Sequence, residues 1–323
     1  MSSRARGVHF TRDDAQIRKP RALNSRSVVM PFAPASPADF AKVVAGAEQL
    51  ANLGFHVADS TPLMPEGYFA GSTNSRQNEF LSELDRSDVD ALVAIRGGYG
   101  SNYLLDTLDI RRPESPKIII GYSDLTSLQS YLWKRCGWIG FYGPMLAAGL
   151  DAGPGAAKGF DRDSLLAAVG KTDCGWTLKL SGEPLAKGEA EGKILGGCMT
   201  LVETTLGTPW ELDTRGSILL LEDRGMKPWQ VDRSLMHLKQ SGKFEDVRGI
   251  VLGEFPECDA PGGSASVRDV CARILGELGV PVVFGAPIGH TPRPMLTVPL
   301  GVNGKLRSQG EGQLEILDPA VVP

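Results

Sequence analysis

From Ser27 onward, short apolar runs alternate with longer stretches in which apolar residues recur every three or four positions. Residues 28–30, 55–57, 91–95, 117–121 and 139–142 read as strands. Between them, residues 37–53 predict a helix with Ser36 at its N-cap and Gly54 as its stop. Residues 74–84, a short piece after Gly100 and residues 125–136 predict further helices. Strict alternation of strand and helix implies an α/β domain with a parallel sheet covered on both faces.

The texture changes near residue 150. Residues 149–157 are rich in Gly and Ala, and weak periodicity persists to about Pro184. Beyond it, 217–221, 249–253 and 281–284 predict strands, 231–240 and 267–278 predict helices, and the tail from Leu296 is Gly-punctuated and β-like. The expected organisation is a disordered lead-in over 1–22, an α/β domain over 23–160, a linker over 161–184 and a smaller α+β domain over 185–323.

Composition narrows the function classes. With 42% hydrophobic and 22% charged residues the chain has the profile of a soluble globular protein. Its net charge is −4 and no basic run exceeds two residues, so neither nucleic acid nor an anionic membrane is an expected partner. No apolar run is long enough to span a bilayer, and the polar first twenty residues lack the apolar core of a signal peptide. Cys136, Cys174, Cys198, Cys258 and Cys271 are scattered and form no CxxC pair, which predicts reduced thiols in the cytoplasm. His9, His56, His237 and His290 share no metal-site spacing.

Candidate chemistry gathers where strands end. "AIRGGYGS" runs from a strand into Arg96-Gly97-Gly98-Tyr99-Gly100, where adjacent glycines let backbone N–H groups face a bound oxygen. It matches neither GxGxxG nor the P-loop spacing. "IIIGYSDL" puts Ser123 on a strand-to-helix corner, the place where a nucleophile elbow exposes its hydroxyl, with Asp124 opening the helix. The plain structural reading of that corner is a helix cap. A serine hydroxyl needs a base. His290, in "IGHTPRP" after a strand, is the histidine placed to reach a cleft. The third group would be Glu222, which ends the apolar run "SILLLE", with Asp223 as the fallback. Ser123 and the Glu222–His290 pair meet only if the two halves pack face to face.

These residues resemble a known family. "AIRGGYGS", "IIIGYSDLTSL", "GGCMTLVETTLGTPW", "LLLEDRGMKPWQVDRSLMHLKQSG", "GIVLGEF" and "GHTPRPMLTVPLG" occur in the order seen in LD-carboxypeptidases, the S66-type serine peptidases that include the microcin C self-immunity peptidases. The resemblance spans roughly residues 25–310. It implies a flavodoxin-like N-terminal domain, a β-rich C-terminal domain and a homodimer. It also implies a Ser123–Glu222–His290 triad, with the amides of Asp124 and of Gly98 or Gly97 as oxyanion hole. Tyr103 and Met226 stand where the family commonly has arginine and glutamate.

The expected reaction is removal of the terminal D-alanine from a murein tetrapeptide through an acyl-enzyme, with no metal or organic cofactor. Arg96, Gly97, Tyr99, Arg224 and Arg293 are the candidates for substrate binding, an arginine being suited to the terminal carboxylate. Cleavage of a peptidyl- or aminoacyl-nucleotide amide is the alternative among hydrolases. A non-catalytic small-ligand binder with RGGYG as an anion nest is the alternative outside them.

Overall fold

The computed structural model describes residues 17–108, 110, 116–173, 175–259 and 265–323. The first half runs β1 (Val28–Phe32), α1 (Phe40–Asn52), β2 (His56–Val57), α2 (Thr73–Asp85), β3 (Ala91–Ala94), α3 (Asn102–Leu105), β4 (Ile118–Gly121), α4 (Leu125–Cys136) and β5 (Gly140–Tyr142). After α5 (Arg162–Gly170) come β6 (Trp176–Lys179), β7 (Glu183–Ala186), β8 (Gly188–Cys198), α6 (Met199–Thr204), β9 (Ser217–Glu222), α7 (Pro228–Gln240), β10 (Gly249–Leu252), α8 (Val267–Leu275) and β11 (Val282–Phe284). The chain closes with β12 (Val298–Leu300), β13 (Asn303–Ser308) and β14 (Gln313–Ile316).

Strands β3 and β4 are buried at every position, which is why they read as continuous apolar runs with no alternation. They sit inside a parallel sheet of order β2-β1-β3-β4-β5, the flavodoxin-like order. The order reverses between β1 and β3, so the loops leaving those strands flank the crevice where such sheets bind ligands. At its other edge β12 adds antiparallel to β5, so a strand from the range assigned to the second domain completes the first sheet.

The second sheet has the order β6-β14-β13-β8-β9-β10-β11-β7. Its parallel centre, β8 to β11, is flanked by antiparallel strands. Period-two alternation divides that centre between two cores. Leu195, Leu219, Leu221, Ile250, Leu252 and Val282 pack with α6, α7 and α8. Ile194, Ile218, Leu220, Val251 and Val283 face the other way and merge with the core of the first sheet. The same parity aims Glu222, two residues beyond Leu220, toward the first half of the molecule.

Helix α4 lies at the junction, with Leu125 through Leu132 all buried. It closes on β8 because β8 ends in glycines: a Cβ on Gly197 would lie 2.6 Å from Thr126 Oγ1. Thr126 Oγ1 accepts the Cys198 amide at 3.0 Å, joining the two halves beside the Ser123 corner.

Three expectations are corrected. Helix α1 begins at Phe40, because Asp39 Oδ1 caps it by accepting Ala41 N–H and Ser36 is turned to the RGGYG loop instead. The stretch assigned to a linker folds as α5, β6 and the first residues of β7. Helix α5 buries Leu165, Ala168 and Val169 behind an Asp161 cap, a stripe too short and too small for its periodicity to stand out. The lead-in is ordered over residues 18–22: Arg18 bridges to Trp138 and Arg21 to Val322. The earlier part of that lead-in, with His9, lies outside the described residues.

Candidate active site

Tyr122 and Ser123 turn the chain from β4 into α4. Ser123 takes φ +62°, a left-handed conformation that a side chain adopts at a cost of about 1–2 kcal/mol. The sharp corner sets its side chain at the rim, half-buried, with Asp124 as the N-cap residue behind it. The Asp124 carboxylate is fully buried and accepts the Ser101 amide at 2.8 Å, while Ser101 Oγ donates to the Asp124 carbonyl at 2.6 Å. Burial pushes the Asp124 pKa up, against the hydrogen bonds from Ser101. The RGGYG loop is thereby tied to the serine corner.

That loop needs its glycines. A Cβ on Gly97 would stand 3.1 Å from Ser123 Cβ and 3.4 Å from both Ser123 Oγ and Asp124 N. Gly98 has φ +95°, and a Cβ there would strike Ser36 Oγ at 2.4 Å. Ser36 holds the loop from the β1 side: its N–H donates to Gly97 O at 3.1 Å and its Oγ accepts Tyr99 N–H at 3.1 Å. Arg76, fully buried on α2, clasps the same region by donating to the carbonyls of Gly71, Gly100 and Pro34 over the Phe69 ring.

His290 reaches the site on the loop after β11. Glu222 Oε2 accepts both His290 N–H and Nδ1, each at 2.9 Å. An ionised carboxylate only accepts, so Nδ1 carries the proton and Nε2 is left as the basic nitrogen. Glu222 is fully buried, and its other oxygen, Oε1, accepts the Tyr142 hydroxyl at 2.5 Å. Glycines make room for this carboxylate: a Cβ on Gly253 would meet Glu222 Cβ at 2.5 Å, and one on Gly289 would meet Glu222 Cδ at 2.3 Å. Burial disfavours the imidazolium, but the Glu222 charge and hydrogen bond, with Asp223 beyond, outweigh it and raise the His290 pKa. Tyr122 packs edge-on to the imidazole, ring centres 5.1 Å apart.

Ser123, His290, Gly97 and Gly98 line one cavity of about 620 Å³ between the halves. Arg96 and Arg224 line it too, together with Lys42, Asp39, Thr200 and Asp223. Asp223, the fallback carboxylate, is hydrogen-bonded not to His290 but to Thr200, accepting its N–H and Oγ1–H at 2.9 and 2.7 Å. Two expected substrate contacts are not brought to the cavity wall. The Arg293 guanidinium is committed to Glu254 and to the carbonyls of Ser181 and Gly285. The Tyr99 ring joins Tyr68, Phe69 and Tyr103 in an exposed aromatic cluster. Among the described residues, no group of three or more His, Cys, Asp and Glu side chains is arranged for a metal. No described helix is long and apolar enough to cross a membrane.

Tyr142 and Arg76 escaped the sequence reading. Tyr142 carried a usable signal, a hydroxyl-bearing residue ending the strand beside the serine strand. Arg76 carried none, because its acceptors are carbonyls of loops on either side of it in the chain.

Comparison with known proteins gives a consistent result. A family model for the LD-carboxypeptidase N-terminal domain matches residues 29–143, and one for the LD-carboxypeptidase C-terminal domain matches residues 191–306. A probable murein peptide carboxypeptidase of Bacillus subtilis is 35% identical over 298 residues, covering 90% of this chain and 92% of that protein. The structure of the microcin C7 self-immunity protein MccF in complex with aspartyl sulfamoyl adenosine superposes with a TM-score of 0.85 at 26% identity, covering 94% of this chain and 99% of that one. Muramoyltetrapeptide carboxypeptidase from Oxalobacter formigenes superposes with a TM-score of 0.81 at 27% identity, covering 92% and 100%.

Two outcomes are expected of this geometry. Gly289→Ala, which would drive a methyl into the Glu222 carboxyl at φ +59°, should lower the rate of serine labelling by a fluorophosphonate about a hundredfold or more; a rate within a few-fold of wild type contradicts the pairing described. A base works only when neutral, so labelling should fall as pH drops through the His290 pKa. Because that pKa is raised, the midpoint of the fall should lie above about 6.5, and a midpoint below it contradicts the assigned role.

Proposed function

We infer the activity from one premise: the chain belongs to the LD-carboxypeptidase family, and it is a serine-type carboxypeptidase. Its substrate is a murein peptide, and the bond broken is the one to the terminal D-alanine of the tetrapeptide. The observation that carries the mechanism is the His290–Glu222 pair opening into the same cavity as Ser123.

In this reading Ser123 Oγ attacks the carbonyl carbon of the terminal amide while His290 Nε2 takes its proton. The oxyanion lies against the backbone N–H groups of Asp124 and Gly98, each worth about 3 kcal/mol in comparable sites. The tetrahedral intermediate collapses as the imidazolium protonates the leaving amine. Water then attacks the acyl-enzyme, again giving its proton to His290, and the shortened peptide leaves with Ser123 restored.

Arg96 holds the substrate's terminal carboxylate. Of the three arginines proposed for this task, Arg293 is bound to Glu254 and Arg224 is paired with Glu257 at 2.5 Å. Arg96 donates to the Pro37 carbonyl at 3.3 Å and, among the described residues, has no carboxylate partner. It is also next in the chain to the glycines that face Ser123, the right side for a group one residue beyond the scissile bond. Among the described residues Cys198, Cys258 and Cys271 are buried thiols in no disulfide, which supports a reducing, cytoplasmic setting, in which the enzyme acts as a homodimer in peptidoglycan recycling.

Incubation with a murein tetrapeptide, followed by mass spectrometry, should show loss of one D-alanine, and Ser123→Ala should abolish it. Turnover of an aminoacyl-nucleotide amide with the tetrapeptide left intact would favour the immunity-type activity instead. Arg96→Gln should raise KM for the tetrapeptide about tenfold to a hundredfold; an unchanged KM would take the carboxylate away from Arg96.

A further inference from the structure

Tyr142 ends β5, the strand beside β4, and stands in register with Gly121. The side chain is fully buried. Its ring is closely held: a Cβ on Gly197 would come within 3.1 Å of Tyr142 Cε2, and Tyr122 meets it edge-on at 6.2 Å between ring centres. The hydroxyl uses both of its capacities. It accepts Ser123 N–H at 3.3 Å and donates to Glu222 Oε1 at 2.5 Å. The direction is forced, since an amide nitrogen cannot accept and an ionised carboxylate cannot donate.

Each bond meets a need of the residue at its other end. Ser123 occupies a left-handed conformation that surrounding contacts must hold in place. Both donors from His290 go to Oε2 of Glu222, so without the phenol Oε1 would be a buried charged oxygen with no donor among the described residues. One hydroxyl therefore spans from the serine's backbone in the first half to the carboxylate in the second.

We propose that Tyr142 is a positioning residue of the reaction, its hydroxyl fixing the Ser123 corner and the Glu222 carboxylate relative to each other across the two sheets. The proposal rests on reading Ser123, Glu222 and His290 as the reacting set. It has a signature that mere packing lacks. Deleting a hydroxyl whose proton points at Glu222 makes the potential around His290 more negative. The imidazolium is then favoured, and the acid limb of reactivity moves to higher pH.

The test is phosphonylation of Ser123 by a fluorophosphonate, followed against pH in wild type and Tyr142→Phe, with melting temperature measured alongside. No physiological substrate is needed. The plateau rate should fall about tenfold to a hundredfold, and the acid limb should shift upward by about half a pH unit or more. An unchanged profile overturns the proposal, and so does a lower plateau with an unmoved limb, the result of a packing defect alone. If Tyr142→Phe does not fold, 3-fluorotyrosine at position 142 takes its place. Its more acidic phenol donates more strongly to Glu222, so the limb must move to lower pH, and no movement overturns the proposal. Labelling that survives in Ser123→Ala would instead sink the reacting set on which the role of Tyr142 depends.

Discussion

A carboxylate with no solvent exposure, held between two sheets, is the constraint around which this molecule is built. Glu222 is buried, and a carboxylate in that position is tolerated only when its oxygens are met by donors. The donors come from both halves: Tyr142 from the end of β5, and the backbone and ring of His290 from the loop after β11. Removing one partner of such a buried charge typically costs about 3–5 kcal/mol. Docking of the halves and orientation of the imidazole are thus one event. Gly253 and Gly289 clear the space, and β9 alternation, with Ile218 and Leu220 on the shared core, aims the carboxylate.

The serine side is organised differently: Asp124 and Arg76 are buried there too, but their hydrogen bonds go to backbone groups, and backbone conformation does the placing. Ser123 takes a left-handed turn, and Gly97 lies so near the serine that a Cβ on it would stand 3.1 Å from Ser123 Cβ. Neither would persist in an isolated strand-to-helix turn. Asp124 binds the loop to the helix start, Ser36 binds it to the strand beyond, and Arg76 ties three loop carbonyls with one guanidinium. The site sits at the switch point of the parallel sheet because β1 and β3 send their loops in opposite directions there, leaving a crevice that the second sheet roofs over.

Much of this was legible before any coordinates. Strands buried on both faces announce themselves as unbroken apolar runs, and 91–95, 117–121 and 217–221 were readable for that reason. The glycine-rich loop, the serine corner, the terminal glutamate and the loop histidine each follow such a run. What sequence could not carry was partnership at long range. Tyr142 and Glu222 are 80 residues apart, and nothing local marks the phenol as the donor to that acid. Helix α5 was lost in a linker because Ala and Gly weaken its apolar stripe. Strand β12 lies in the tail that chain order places with the second domain, after β11, whereas its partner is β5.

The claim that Glu222 orients His290 for attack by Ser123 is tested most directly by Glu222→Gln. Glutamine keeps the size and shape of the side chain but presents a neutral amide, so the imidazole loses both its fixed tautomer and the charge that stabilises its cation. Phosphonylation of Ser123 should fall by about 10³–10⁴-fold with the fold retained. A rate within tenfold of wild type would contradict the account.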